Sequence, residues 1–390
     1  MNPKKLVSLF LATLILILAG NAPAQAAPET NPLNLAAKSA FLMDVRTGRV
    51  MYAYNEEERI QPASLAKILT FDMALEALEK KQISLEDEVP VSEKAWRLSM
   101  DQGVSRMFIE VGDKVKLEDL LYGLMVSSGN DAAVALAEFL AGTEDDFVRQ
   151  MNARVAQLGL TDTRFSNAHG LEAPDQYTTA KDMARLAQHL ILNHPEGLKY
   201  TSSKQFVFNG IPQNNWNKLL FQDPRVNGLK TGHLASAGYH LVATAKEKEG
   251  ETYLIGVVMG TASEDLRARE AERLLDWGFK NFSTVEVPPP ALPATLPVYK
   301  GEQGTVPVKL QGDTLATVPR EDTGKLKAAV ELEELVVAPL PAGSQVGQVT
   351  ITSSQGEPLK SVAVVTAGEV KRGGFFRVLW DSLRLLFRRL

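Results

Sequence analysis

Apolar positions recur in this chain with helical spacing in one set of stretches and in short β-rich runs in another. After Pro62, the series Ile68, Leu69, Met73, Leu75 and Leu78 predicts a helix that opens at Ser64 and ends near Lys81. Ahead of it, Ser39 to Val45 and Val50 to Tyr54 flank a Thr47-Gly48 turn and read as a hairpin. The stretch with Trp96 and Asp101-Gln-Gly103 reads as irregular or short strand. Leu117 to Met125 is apolar enough for a helix, which Ser127-Ser128-Gly129-Asn130 interrupts before Asp131 caps another over Ala132 to Leu140. Phe147 to Leu158, Lys181 to Leu192 and Asp265 to Phe279 continue the helical pattern, while Tyr239 to Ala245 and Tyr253 to Met259 read as strands. Strands at both ends with helices between them predict an α+β fold, one antiparallel sheet flanked by helices. Pro288-Pro289-Pro290 then marks a boundary, beyond which short β-rich runs alternate with Gly and Pro turns as far as about Val370. A small all-β domain is the expectation there.

Composition adds an address. The chain has 390 residues, 45% of them hydrophobic, enough for more than one average domain. Lys4 and Lys5, an apolar run from Leu6 to Ala19 and the exit Ala24-Gln25-Ala26 describe a secretory leader over residues 1–26, so the protein is expected to be exported. Cysteine is absent, which excludes disulfides, thiolate metal sites and a lipidated N-terminal cysteine. The expected layout is a large first domain over 27–284, an all-β stalk over 285–370 and a terminal helix over 371–390.

The net charge of −5 gives no electrostatic case for nucleic acid, but its distribution is uneven. Residues 371–390 carry six cations against Asp381, a local charge of +5 that leaves −10 for the remainder. Phe375, Phe376, Leu379, Leu383, Leu386, Phe387 and Leu390 recur at helical spacing, with Arg377, Asp381, Arg384 and Arg388 on the other side. Such a helix is expected to lie in a membrane surface through residues 373–390 and to hold the exported chain peripherally at the outer face of the cytoplasmic membrane, on its periplasmic side.

Candidate chemistry sits in three polar triplets, Ser64-x-x-Lys67, Ser128-Gly129-Asn130 and Lys230-Thr231-Gly232, each at an element boundary. Residues three apart share a helix face, so the Lys67 amine reaches the Ser64 hydroxyl, and a helix N-terminus adds positive potential where an anion would form. A serine needs a base, and a lysine serves only when partly neutral. Burial and a second cation, which Lys230 would supply, both drive it that way.

The order and form of these triplets resemble the serine penicillin-binding protein and β-lactamase superfamily. Pro62-Ala-Ser-Leu-Ala-Lys67, Ser127-Ser-Gly-Asn-Asp-Ala132, His169-Gly-Leu-Glu-Ala-Pro174 and Lys230-Thr-Gly-His233 are most similar to the low-molecular-mass D-alanyl-D-alanine carboxypeptidases of the peptidase S11, penicillin-binding protein 5 and 6 type. The resemblance implies a transpeptidase-like fold in which Ser64 is acylated, Ser128 passes a proton between Lys67 and the leaving amine, and Asn130 orients Lys67 and the substrate amide. It gives Lys230 and Thr231 the substrate carboxylate, gives Gly232 the close approach of a substrate backbone, and builds an oxyanion hole from the N–H groups of Ser64 and His233. The implied partners are the peptidoglycan stem peptide and β-lactam antibiotics. A homodimer stays open, as does the identity of the base in each step.

His169 and His233 have no carboxylate at the spacing of a metal site or a triad, so no metal or cofactor is expected, and both are read as structural or substrate-shaping. His189, His194 and His240 are assigned to surface or core. Arg269, near the start of the last long helix, is a candidate for the substrate carboxylate by family analogy and equally a solvated helix arginine. A DD-endopeptidase, a β-lactamase or a catalytically weak scaffold of the same fold are the competing readings.

Overall fold

The computed structural model describes residues 31–100 and 103–388. The leader read over residues 1–26 lies outside them. Within the unit that begins at Leu35, the expected hairpin forms as β1 (Ser39–Asp44) and β2 (Val50–Tyr54). Three long strands from the far end of the first domain join it, β3 (Val226–Leu234), β4 (Gly238–Lys246) and β5 (Tyr253–Thr261). The order is β2-β1-β5-β4-β3 with every pair antiparallel, and β1 sets Phe41 opposite Val257 of β5. β1 is buried along its whole length because helices cover both sheet faces. That leaves β3 as an edge strand, carrying Lys230 and Thr231.

Between the two groups of strands run α1 (Lys67–Glu79), α2 (Glu93–Met100), α3 (Leu117–Met125), α4 (Asn130–Ala141), α5 (Glu144–Gln157) and α6 (Ala180–Asn193). α2 corrects the irregular reading around Trp96. Ser92 Oγ accepts from Ala95 N at 3.0 Å and Glu93 pairs with Arg97 one turn on, so local capping and an i,i+4 pair support a two-turn helix that buries Ala95 and packs Trp96 and Leu98 against the core. α7 (Glu264–Asn281) opens on Ser263, whose side chain accepts from Leu266 N, and lays Leu274, Leu275 and Gly278 against β5 and β1.

α1 is the central helix, buried nearly all round. Its Lys67, Thr70 and Asp72 are as buried as its leucines. Three enclosed polar groups in one core helix mark where the fold departs from simple packing.

β6 (Phe282–Glu286) follows α7 directly and pairs with β9 (Leu315–Pro319), so β structure resumes at Phe282, ahead of the proline run. The other strands of the second domain are β7 (Thr295–Tyr299), β8 (Thr305–Leu310), β10 (Lys327–Leu332), β11 (Val336–Val337), β12 (Gln345–Thr352) and β13 (Pro358–Thr366). They form one sheet in the order β10-β12-β13-β8-β7-β11 around Leu296, Val306, Val346, Val349 and Val364. A polar seam joins this domain to the first: buried Thr284 Oγ1 donates to Asp44 Oδ2 at 2.7 Å and Arg320 Nε to the Phe279 carbonyl at 2.7 Å.

The terminal helix α8 (Phe375–Arg388) leaves Phe375, Phe376, Trp380, Leu386 and Phe387 exposed. Its polar side is tied down, because buried Asp381 accepts from Lys300 N at 2.7 Å and from Arg377 Nε at 3.0 Å. No helix among the described residues is long and apolar enough to cross a membrane.

Candidate active site

Ser64 lies half-buried in a single 3-10 turn, Ala63–Ala66, that runs straight into α1 and puts Lys67 at the helix head. The turn is tightly wedged. Ala63 takes a left-handed φ of +50°, and Gly170 (φ +88°) presses so closely that a Cβ there would come 1.8 Å from the Ala63 carbonyl oxygen. Gly232 of β3 closes the other side, where a Cβ would stand 3.1 Å from Pro62 O and 3.3 Å from Ser64 N. That contact is a second reason for glycine at 232, which sequence alone assigned to the approach of a substrate backbone.

Three acceptors surround the Lys67 amine: Ser64 Oγ at 2.9 Å, Asn130 Oδ1 at 2.5 Å and the His169 carbonyl at 2.7 Å. Enclosure, reinforced by the Lys230 charge, holds this amine well below the usual lysine range, with Asp131 opposing the shift. Asn130 is brought in at the head of α4. The neighbouring Asp131 carboxylate accepts from Met107 N, Phe108 N and Ala132 N at 2.9–3.1 Å and so fixes that helix end against the 105–109 segment. Asp131 was expected to cap a helix opening at Ala132, and its tie to Met107 and Phe108 is long-range and invisible to local patterning. Ser128 adopts φ +60°, and its buried Oγ has no hydrogen-bond partner among the described residues. A strained, unsatisfied hydroxyl two residues from Asn130, the partner of Lys67, is available to a reacting group.

Lys230 and Thr231 are buried on β3. Lys230 Nζ donates to the Thr231 carbonyl at 3.2 Å, and burial followed by the Arg267 charge pulls the amine down to about 7. His233 is exposed, with its ring stacked on Tyr239 at 3.9 Å between centroids. His169 enters through its main chain, while its ring accepts from Leu171 N at 3.1 Å and faces Glu144 at 3.5 Å. Burial lowers that imidazole to about 4.

Arg269 requires a correction. Its side chain is 65% exposed and lies 3.8 Å from Glu270, turned away from the cleft. Arg267, 4% exposed, is the arginine beside Lys230: Nη2 donates to the Trp216 carbonyl at 3.1 Å and to Glu264 Oε1 at 3.3 Å. Two residues along a helix is about 200° of rotation, so both cannot face the site. The sequence signal was available, since 267, 271, 274 and 278 form the buried stripe of α7. Trp216 was also missed; its Nε1 donates to the Ser127 carbonyl at 3.1 Å and ties the Ser128 loop to Arg267.

Comparison with known proteins agrees with this geometry. Residues 24–263 match the family described as D-alanyl-D-alanine carboxypeptidase, and residues 287–372 match the C-terminal domain of penicillin-binding protein 5. The chain is 38% identical over 358 residues to the D-alanyl-D-alanine carboxypeptidase DacC of Escherichia coli, covering 90% of this chain and 89% of that one. Crystal structures of penicillin-binding protein 5 from Haemophilus influenzae superpose with a TM-score of 0.79 at 37% identity, over 88% of this chain and all (100%) of that one. Penicillin-binding protein D2 of Listeria monocytogenes, solved with ampicillin bound, is similar at a TM-score of 0.57 and 29% identity, over 64% of this chain and 99% of that one. With its Ser-Lys pair, its lysine-bearing edge strand and both matched domains, the chain belongs to the family of serine-type D-alanyl-D-alanine carboxypeptidases.

Proposed function

We propose that Ser64 attacks the terminal D-alanyl-D-alanine amide of a peptidoglycan stem peptide and forms an acyl-enzyme that water then hydrolyses. The observation that carries this reading is the 2.9 Å contact between Lys67 Nζ and Ser64 Oγ in an enclosure that drives the lysine towards neutrality. A neutral amine takes the hydroxyl proton as the Ser64 oxygen bonds to the carbonyl carbon. The N–H groups of Ser64 and His233 stabilise the oxyanion. Ser128 hands the proton to the departing D-alanine nitrogen while Asn130 holds Lys67 and the substrate amide. Lys230, Thr231 and Arg267 receive the C-terminal carboxylate, and the substrate backbone lies along edge strand β3. β-Lactams acylate the same serine.

The deciding experiment compares D-alanine release from an acyl-D-Ala-D-Ala peptide by the purified protein and by Ser64→Ala. Loss of at least about 10³-fold is expected, and equal release by the substituted protein would refute the serine mechanism. In this reading α8 anchors the enzyme to the outer face of the cytoplasmic membrane: its aromatic side is exposed, and Asp381 fixes the opposite side to the β-domain. Ending the chain at Gly373 is expected to move the protein from membrane to soluble fractions with release from soluble peptide retained. Unchanged membrane retention would dismiss the anchor.

A further inference from the structure

α1 carries a second enclosed charge, which the serine chemistry does not use. Asp72 is fully buried, yet neither of its carboxylate oxygens has a hydrogen-bond partner among the described residues. Burying a carboxylate without partners is costly. Two imidazoles stand beside it, brought by α6 and the turn that follows: His189 Nε2 lies 3.6 Å and His194 Nε2 4.0 Å from Asp72 Oδ1. One ligand atom from each residue falls within 4.8 Å of the other two. These separations are long for hydrogen bonds but suit a shared ion, since a tetrahedral centre with bonds of about 2.1 Å holds its donors about 3.4 Å apart.

Charged neighbours of both rings favour a lone pair on Nε2. His194 Nδ1 lies 3.7 Å from Glu196 and 3.9 Å from Glu79, carboxylates that favour the proton on Nδ1 and leave Nε2 directed at Asp72. His189 Nε2 lies 3.2 Å from the Arg154 guanidinium, which only donates, so this nitrogen meets it as an acceptor. Asn193 Nδ2 donates to the His189 carbonyl at 2.8 Å and lies 3.0 Å from His189 Nδ1, which holds the ring in place. Arg154 is the neighbouring cation, but its Nε is 3.9 Å from Asp72 and has no hydrogen-bond partner among the described residues, while Nη2 reaches Glu76 at 3.3 Å. The guanidinium can swing towards Glu76 and clear the space.

We propose that Asp72, His189 and His194 form a binding site for a divalent transition-metal ion of the zinc class, separate from the Ser64 cleft. Two imidazole nitrogens and one carboxylate oxygen suit zinc or cobalt and disfavour calcium and magnesium, which demand oxygen shells. The ion would clamp α1 to α6, and half-exposed His189 gives it a way in.

The test uses the purified protein, stripped with a chelator and then titrated with Zn²⁺ and, separately, Co²⁺. Retention of one equivalent through desalting is expected, with the visible absorption of low-coordinate Co(II) and a Tm raised by about 3–6 °C at saturation. His189→Gln and Asp72→Asn should each lose retention, absorption and Tm shift. His189→Gln changes a half-exposed ring and should keep D-alanine release within about twofold. Circular dichroism of the metal-free variants checks that they fold; Asp72→Asn removes a charge with little change of volume, so it provides a folded comparison if the histidine variant fails. No retained ion in the unsubstituted protein, or equal retention by a folded variant, overturns the site.

Discussion

Lys67 at the head of α1 and Lys230 on edge strand β3 are both enclosed, and burial pushes both amines below the usual lysine range. They differ in what surrounds them. Lys67 is held by three oxygen acceptors at 2.5–2.9 Å, one of them the Ser64 hydroxyl. Lys230 has a carbonyl at 3.2 Å and the Arg267 charge as its neighbours. Enclosure sets the direction of the shift for both, and the neighbours divide the labour. An amine fixed against a hydroxyl is placed to take a proton, whereas an amine beside another cation is placed to receive an anion. The two are also coupled, because the Lys230 charge depresses Lys67 further. Binding of a carboxylate at Lys230 would relax part of that pressure.

The most severe break in this comparison is Lys67→Met, which keeps length and burial and removes the amine proposed as the base. D-Alanine release should fall by at least about 10³-fold, read in kcat. Lys230→Met should act mainly by raising KM. If the two substitutions gave the same split between kcat and KM, the division of labour would be wrong. A smaller effect separates the two arginines of α7. Arg267→Gln removes the buried cation beside Lys230 and should raise KM by about 10–100-fold, the scale of one enclosed charge contact. Arg269→Gln removes an exposed charge and should leave both constants within about twofold. Steady-state kinetics on one peptide substrate distinguish them.

That arginine pair illustrates how far the sequence could be read. Ser64, Lys67, Ser128, Asn130 and Lys230 were legible because each lies in a short motif at an element boundary, and local chemistry identifies such positions. The hairpin and the core helices were legible from periodicity. Arg267 was passed over because the choice rested on family analogy, although the stripe through Ala271, Leu274 and Gly278 already marked its face. The wedge of Gly170 against Ala63, the Asp131 contacts and the meeting of Asp72 with His189 and His194 were out of reach. Each joins residues distant in sequence, and no local periodicity encodes them. The helix at Glu93–Met100 failed for a different reason: it is only two turns long, too short for its apolar positions to show a period, and a cap and a charge pair help to specify it.

The smallest effect is a displacement in pH, and its sign follows from Lys230. Its amine titrates at about 7 in the folded chain against an ordinary 10.5. Between those values the unfolded chain binds the extra proton, so this residue makes stability rise with pH across that window, and its burial penalty is fully present below about 7. Substrate binding runs the other way, because a carboxylate needs the protonated amine. KM should therefore climb as pH passes upward through the neutral range. Burial is the larger cause of the depression and Arg267 the second, so Arg267→Gln removes only part of it and leaves Lys230 protonated to higher pH. The rise in KM should begin at higher pH in Arg267→Gln than in the unsubstituted protein, even though KM itself is larger throughout. A weaker binder with a wider alkaline range is a pairing that simple loss of a contact does not produce. If the two KM profiles rose at the same pH, Lys230 would not be the titrating receptor, and Thr231 and Arg267 would have to hold the carboxylate without it.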